Sequence, residues 1–312
     1  MARDVWFGVH LPPEGRTFEY MRDACLDVEG NGYDLFTMTD HFMNMANPRG
    51  AGGHPLECWT TLAALAAVTR RIRLGPLVGC YAYRTPTVLA KMVTTVDIIS
   101  DGRLVLGLGA GWHEDEFNGF MGGFPPVPER MRGLRETLEI CTGMLGQERF
   151  SFEGKLYRVE NVLNSPQPVQ KPVPIMVGGG GEKVTLALAA KYAHISHFFA
   201  SDVKTLETKL AALAAHCDRV GRSLDSIRKG TGMTILMGGT RTEAEEKLEK
   251  IAAARGTTVD TLRQRIGPGL GTPAEVASAL GEYIDRGVGL VTLGFPDMGD
   301  MPVFAERVVP AL

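Results

Sequence analysis

Two hydrophobic periods take turns along this chain. Val5 to His10 is a short apolar run of strand type, and Thr17 to Gly30 follows with helical spacing before a Gly32-Tyr33 stop. Tyr33 to Thr39 is again strand-like, Glu57 to Arg70 is Ala-rich and helical, and Ile72 to Val78 returns to a strand. Pro86 to Ser100 carries Leu89, Met92, Val93, Val96 and Ile99 on one helical face; Thr85 is placed to cap it and Pro86 suits its first position. Arg103 to Leu108 reads as a fourth strand after the Ser100-Asp101-Gly102 turn, and Glu129 to Leu145 as a helix.

The second half resumes the alternation after an interruption. Phe150 to Val159, with Gly154 at its centre, predicts a small hairpin, and Pro166, Pro168, Pro172 and Pro174 an extended stretch leading into the strand Ile175-Met176-Val177. Val184 to Lys191 is helical, His194 to Phe199 a strand, and Thr205 to Val220 a helix with Leu206, Leu210, Leu213 and Cys217 on one face. Ile227 to Met237 reads as one strand; the charged helix Glu243 to Ala254 and the segment to Gly269 read as an insertion. Thr272-Pro273-Ala274-Glu275 opens a helix as a capping box, which feeds the strand Leu290 to Leu293 and an amphipathic tail to Leu312. Eight strand candidates, each followed by a helix and without reversal of order, predict an α/β fold: a (β/α)8 TIM barrel with insertions, one domain over residues 1–312.

Composition narrows the classes of function. The 312 residues hold 33 Lys+Arg against 36 Asp+Glu, a formal net charge of -3, and 44% hydrophobic residues. Arg70, Arg71 and Arg73 form the densest basic cluster and stand alone, so the electrostatic term that dominates nucleic-acid binding is missing. The apolar stretch Leu62 to Val68 falls far short of the roughly 20 residues that span a bilayer, and the start Met1-Ala2-Arg3-Asp4-Val5 has no secretory apolar region. The expectation is a soluble cytoplasmic protein that binds neither nucleic acid nor membrane. Cysteines 25, 58, 80, 141 and 217 are scattered and form no C-x-x-C pair, which fits buried thiols and neither a disulfide framework nor a zinc knuckle.

In such barrels the chemistry sits where strands end. Those positions hold His10, Thr39-Asp40-His41, Val78-Gly79-Cys80-Tyr81, Gly109-Ala110-Gly111-Trp112-His113, Gly178 to Gly181, and His197. Gly178-Gly179-Gly180-Gly181 lies between a strand and a helix, where bare backbone N–H groups and the helix dipole can hold a phosphate; a loose turn is the plainer alternative. Gly107-Leu108-Gly109-Ala110-Gly111 lacks the third glycine of a dinucleotide fingerprint at the required spacing, and reads either as a strand end against which a flat ring can lie or as a bulge. Asp40-His41 brings a carboxylate and an imidazole to the barrel mouth together, although a lone surface histidine is the simpler alternative. Gly79-Cys80 reads as a bulge or a close approach to ligand, and nothing adjacent in sequence lowers the Cys80 pKa for nucleophilic work. His194 and His197 are three apart in a strand and face opposite sides, which disfavours metal there.

These residues resemble the bacterial luciferase-like monooxygenase superfamily, in particular its branch that uses the deazaflavin coenzyme F420. The resemblance runs through Phe7 to Pro12, Thr39-Asp40-His41, Glu57 to Ala64, Tyr83 to Lys91, Gly102 to Trp112, Phe152 to Lys155 and Pro174 to Gly181, in family order. It implies a homodimeric (β/α) barrel holding a flat tricyclic ring at the strand C-termini. Asp40 and His41 would lie beside the ring. The bulge Leu77, Val78, Gly79 and Cys80, often with a non-prolyl cis peptide, would back its far face, Gly109, Ala110 and Gly111 would border it, and Gly178 to Gly181 would hold the tail phosphate. Two departures stand out. Trp112 and His113 occupy the place where some sugar-phosphate dehydrogenases of the family have a Glu, and Ser196-His197 replaces the Trp-Asn of many relatives.

The implied function is hydride transfer between the deazaflavin and a small organic substrate, with His41 as the proton donor or acceptor and His10, Trp112, His113 and His197 shaping the substrate pocket. An FMN-dependent monooxygenase using oxygen is the alternative on the same barrel, and a non-catalytic coenzyme-binding protein the alternative of another class.

Overall fold

The structure is a computed structural model and describes residues 5–45, 47–50 and 52–312. Residues 1–4, read above for a secretory leader, lie outside the described residues, as do Ala46 and Ala51. In chain order the first half contains β1 Trp6–His10, α1 Phe18–Gly30, β2 Leu35–Met38, α2 Cys58–Val68, β3 Arg73–Pro76, β4 Gly79–Cys80, α3 Pro86–Ile99, β5 Leu106–Gly109, α4 Glu114–Phe120 and α5 Val127–Gly146. Then come β6 Arg149–Glu153, β7 Arg158–Leu163, β8 Ile175–Gly178, α6 Thr185–Tyr192, β9 Ile195–His197, α7 Val203–Val220, β10 Arg228–Thr234 and β11 Leu236–Met237. The chain closes with α8 Arg241–Ala254, α9 Val259–Ile266, β12 Leu270–Gly271, α10 Pro273–Ile284, β13 Val288–Gly294 and α11 Asp300–Val303.

A single parallel sheet runs β3-β2-β1-β13-β10-β9-β8-β5-β4. β3 and β4 are two pieces of one barrel strand, separated by Leu77 and Val78, whose connecting peptide is cis. A bridge between Leu74 and Leu104 brings the β3 piece against the approach to β5, while β4 pairs with β5 directly, so the ring closes as a (β/α)8 barrel. Alternation along the strands sorts the apolar residues into two layers. Leu35, Val105, Met176, Ile195 and Leu290, each no more than 2% exposed, fill the interior, with Leu77 and Val78 packed on them. Trp6, at the first position of β1, lies between the guanidiniums of Arg73 and Arg228, at 4.2 and 4.3 Å from its ring centroid, and forms the barrel floor.

The periodicity located the barrel strands, and the departures from it have physical causes. The strand expected over Ile227 to Met237 divides: β10 stays in the barrel, while β11 leaves to pair with β12. That small sheet and helices α8 and α9 bury a separate core of Leu236, Ala244, Leu248, Ala252, Leu262, Ile266 and Leu270, which is the insertion read from sequence. Thr85 makes no side-chain cap bond to α3, although Pro86 keeps its first position. Ile99 is 42% exposed and does not join the buried face of that helix. The Thr272–Glu275 capping box forms, and so does one between Thr240 and Glu243. Helix α4 carries no apolar repeat of its own; it forms because His113 caps it and Glu114, Asp115 and Glu116 favour its positive end. All five cysteines are buried and free. Among the described residues no helix is long and apolar enough to cross a membrane.

Candidate active site

A cavity of about 350 Å³ opens at the C-terminal ends of the barrel strands. Asp40 and His41 reach it from the end of β2, Leu77 to Cys80 from the bulge, Gly109 to Gly111 from the end of β5, and Gly178 to Gly181 from the turn between β8 and α6. The structure therefore brings together the positions read from sequence as a ring and phosphate site. Trp112 and His197 line the same cavity, and Tyr83, Thr185 and Phe199 join them without having been singled out from the sequence. A second cavity of about 340 Å³ shares Leu77 and Phe199 with the first and runs from His10 and Thr292 to residues 264–268 of the insertion. His113 lines neither; it is buried, and its Nδ1 accepts from the Glu116 N–H at 3.4 Å as the cap of α4.

Asp40 and His41 are adjacent in sequence but do different work. The Asp40 side chain is fully enclosed and binds Arg84 in a two-pronged pair, Nη1 to Oδ2 at 2.7 Å and Nη2 to Oδ1 at 2.9 Å. The Cys80 N–H donates to the same Oδ2 at 3.3 Å, so this carboxylate ties the bulge to Arg84 at the wall of the cavity it lines. Arg84 also donates to Glu57. Burial pushes the Asp40 carboxyl up against the pull of the guanidinium. Burial works against the charge of Arg84 as well, and the two carboxylates outweigh it.

Behind His41 stands a residue the sequence reading did not select. Glu116, the third residue of α4, has a fully buried side chain, and its Oε2 lies 2.7 Å from His41 Nδ1. Tyr83 donates its hydroxyl to that same oxygen, and the backbone N–H groups of Phe42 and Met43 donate to Oε1 at 2.6 and 2.9 Å. Burial alone would raise the carboxyl pKa, but the hydrogen bonds from His41 and Tyr83 hold it down to about 2. The rings of Trp112 and His113 pack edge-on against His41 at 5.6 and 5.9 Å between centroids.

The other two histidines of the mouth are uncharged at neutral pH. Burial and the nearby His41 lower His10 to about 4, and its Nδ1 meets the Thr37 hydroxyl at 3.0 Å. Burial and His10 lower His197 to about 3 against a backbone hydrogen bond at Thr231, and its Nε2 meets the Thr292 hydroxyl at 2.9 Å. His194, by contrast, accepts from the Ile175 N–H at the opposite end of its strand. Burial pushes the Cys80 thiol up to about 12, so it carries no thiolate.

The glycines serve two purposes. A Cβ at Gly109 would lie 2.8 Å from Val78 Cγ2, and one at Gly178 would lie 2.6 Å from it, so these two make room for the bulge's own side chain. Gly179 has φ +123, which an L side chain rarely adopts. Beyond it α6 starts at Thr185 with no side-chain cap, and of its first turn the Leu186 N–H already donates to the Gly181 carbonyl at 3.0 Å. A phosphate at this turn would meet the bare backbone of the glycine run at a helix N-terminus whose first turn is in part already satisfied.

Residues 5–265 match the family described as luciferase-like monooxygenase, and the chain belongs to that family. It is 32% identical over 213 residues to an F420-dependent glucose-6-phosphate dehydrogenase of Nocardia farcinica, covering 66% of this chain and 61% of the relative. It is 30% identical over 221 residues to the pyrimidine monooxygenase RutA of Stutzerimonas stutzeri, covering 67% of this chain and 59% of the relative. The chain thus spans about three fifths of the length of these curated relatives. An F420-dependent secondary alcohol dehydrogenase, solved with an F420-acetone adduct, superposes with a TM-score of 0.84 over 98% of both chains at 18% identity, a likeness of fold.

Proposed function

We propose that this barrel of the luciferase-like family is an oxidoreductase that binds the deazaflavin coenzyme F420 and transfers a hydride between it and a small organic substrate. The observation that carries the reading is the convergence of the Leu77 to Cys80 bulge, the Gly178 to Gly181 turn and His41 on one cavity. Its match to an F420-dependent dehydrogenase adds weight. The coenzyme supplies two-electron chemistry, and the protein binds and orients. Val78 and Gly79 would back the ring, with Asp40 and Arg84 fixing the bulge from behind. Gly179 to Gly181 and Thr185 would hold the phosphate of the tail. His41 would exchange the proton that accompanies the hydride. Trp112 and Phe199, 63% and 73% exposed at the rim, would cover the substrate, which would reach into the cavity beside His10.

FMN is the second reading, favoured by the match to a pyrimidine monooxygenase. Titrating the purified protein with F420 and with FMN in turn, and following ligand fluorescence, separates the two: tight FMN binding with none for F420 overturns the proposal. Cofactor binding without turnover of any offered substrate would favour the non-catalytic reading instead. We also propose a homodimer, supported by the open apolar groove of Trp59, Val88, Met92 and Leu163 between α2, α3 and β7; a monomer in sedimentation equilibrium would refute it.

A further inference from the structure

A carboxylate that is ionised can only accept hydrogen bonds, whereas an imidazole nitrogen can donate or accept. Glu116 is fully buried and surrounded by four donor positions, two of which are backbone N–H groups that cannot be anything else. With Oε1 occupied by Phe42 and Met43, Oε2 is left for Tyr83 and His41, and His41 Nδ1 at 2.7 Å must carry its proton toward it. Nδ1 being spent on Glu116, Nε2 is the one nitrogen with which His41 can meet a ligand in the cavity it lines.

We propose that Glu116 is a positioning residue that locks His41 in the Nδ1–H form, so that Nε2 presents a lone pair to the ligand. His41 then acts first as an acceptor, and the group it faces is a protic one, a hydroxyl or N–H of the substrate. When the X–H bond of that group breaks and N–H forms at Nε2, the electron pair stays on X, and the resulting imidazolium is matched by the carboxylate behind it. The geometry of Glu116 stands by itself, while the use of the lone pair rests on the proton-exchange role given to His41 above.

The experiment reads the tautomer directly, in coenzyme-free protein labelled with 15N and 13C in its histidine rings, followed from neutral pH upward so that the ring is read once it has lost its second proton; a ring that stays doubly protonated throughout also overturns the proposal. Wild-type His41 is expected as Nδ1–H; an Nε2–H signal at His41 overturns the proposal. Glu116→Gln provides the second reading. Its amide oxygen has to face the Phe42 and Met43 N–H groups, which cannot adapt, so its NH2 is turned to His41 and forces Nδ1 to accept. The tautomer is expected to flip to Nε2–H with cofactor affinity unchanged, and kcat to fall by about 10²-fold or more, the range of general acid–base assistance. The same tautomer in both proteins refutes the assignment. Tyr83→Phe removes the other donor on Oε2 and is expected to keep Nδ1–H; a flip there would transfer the role to Tyr83 and overturn the proposal. His41→Ala addresses the proton-exchange role separately: unchanged turnover with unchanged binding would remove that role and leave the tautomer result intact.

Discussion

Replacing Arg84 by Met tests how the mouth of the barrel is held. The Arg84 side chain is 10% exposed and Asp40 is fully enclosed, so this pair belongs with buried ion pairs and not with surface ones. Removing one partner of such a pair costs about 3–5 kcal/mol, because the remaining charge is left in a poor solvent. Glu57 is 37% exposed and is rehydrated when Arg84 goes, so it adds little. At roughly 2–4 °C per kcal/mol for a large domain, Arg84→Met should lower Tm by on the order of 10 °C at neutral pH. Unpaired and buried, Asp40 will bind a proton more readily folded than unfolded. The deficit is therefore present above its new folded pKa and fades as pH falls toward its ordinary value of about 4. Asp40→Asn together with Arg84→Met should be less damaging than the sum of the single changes, since the two residues are in contact. Thermal melts at pH 7.5 and pH 4.5 on the four proteins decide the matter. Arg84→Met melting within about 1 °C of wild type at pH 7.5, or additive losses in the double variant, would refute the reasoning.

Three further expectations follow from the geometry. Glu116 has its folded pKa held down to about 2 from an ordinary 4.5, so its stabilisation, about 3 kcal/mol, is complete above pH 4.5 and is lost as pH falls toward 2; an acid titration in which wild type keeps its full margin over Glu116→Gln below that window would contradict it. Gly178→Ala places a Cβ 2.6 Å from Val78 Cγ2 and should cost about 1–3 kcal/mol of overpacking, whereas Gly180→Ala finds Lys209 Cε at an ordinary 3.4 Å and should melt as wild type does; equal melting temperatures for the two variants would show that Val78 does not fill that space. Trp112→Ala and Phe199→Ala, at rim positions that are largely exposed, should leave Tm within the roughly 0.5 kcal/mol of an ordinary surface change while raising the substrate KM; an unchanged KM in both would place the substrate elsewhere.

The barrel was legible because its signal is repetitive. Val5 to His10, Tyr33 to Thr39 and Ile175 to Val177 are apolar runs at the spacing of a parallel sheet buried on both faces, and the strand ends then point to the site without further assumption. Less legible were features set by three-dimensional neighbours. His113 was grouped with the substrate pocket by its place after Gly111 and Trp112, but its ring is taken up by the helix it caps. Asp40 does line the cavity, but that its carboxylate is paired with an arginine 44 positions later could not be read from the strand end alone. Glu116 lies 75 residues from His41 on a short helix without apolar periodicity, so nothing local separated it from Glu114 and Asp115; the one available signal was an acidic cluster starting a helix after a cap. The Cβ distances at Gly109 and Gly178 show a similar limit, since sequence can announce that space is needed but not that Val78 takes it.

Trp6, gripped between Arg73 and Arg228 beneath a plug of five aliphatic side chains, decides how molecules can travel through this cylinder. A tube stoppered at its base has one doorway, shared by whatever enters and whatever departs. Both cavities therefore communicate with solvent on the side of the strand C-termini, and no route along the barrel axis reaches either of them.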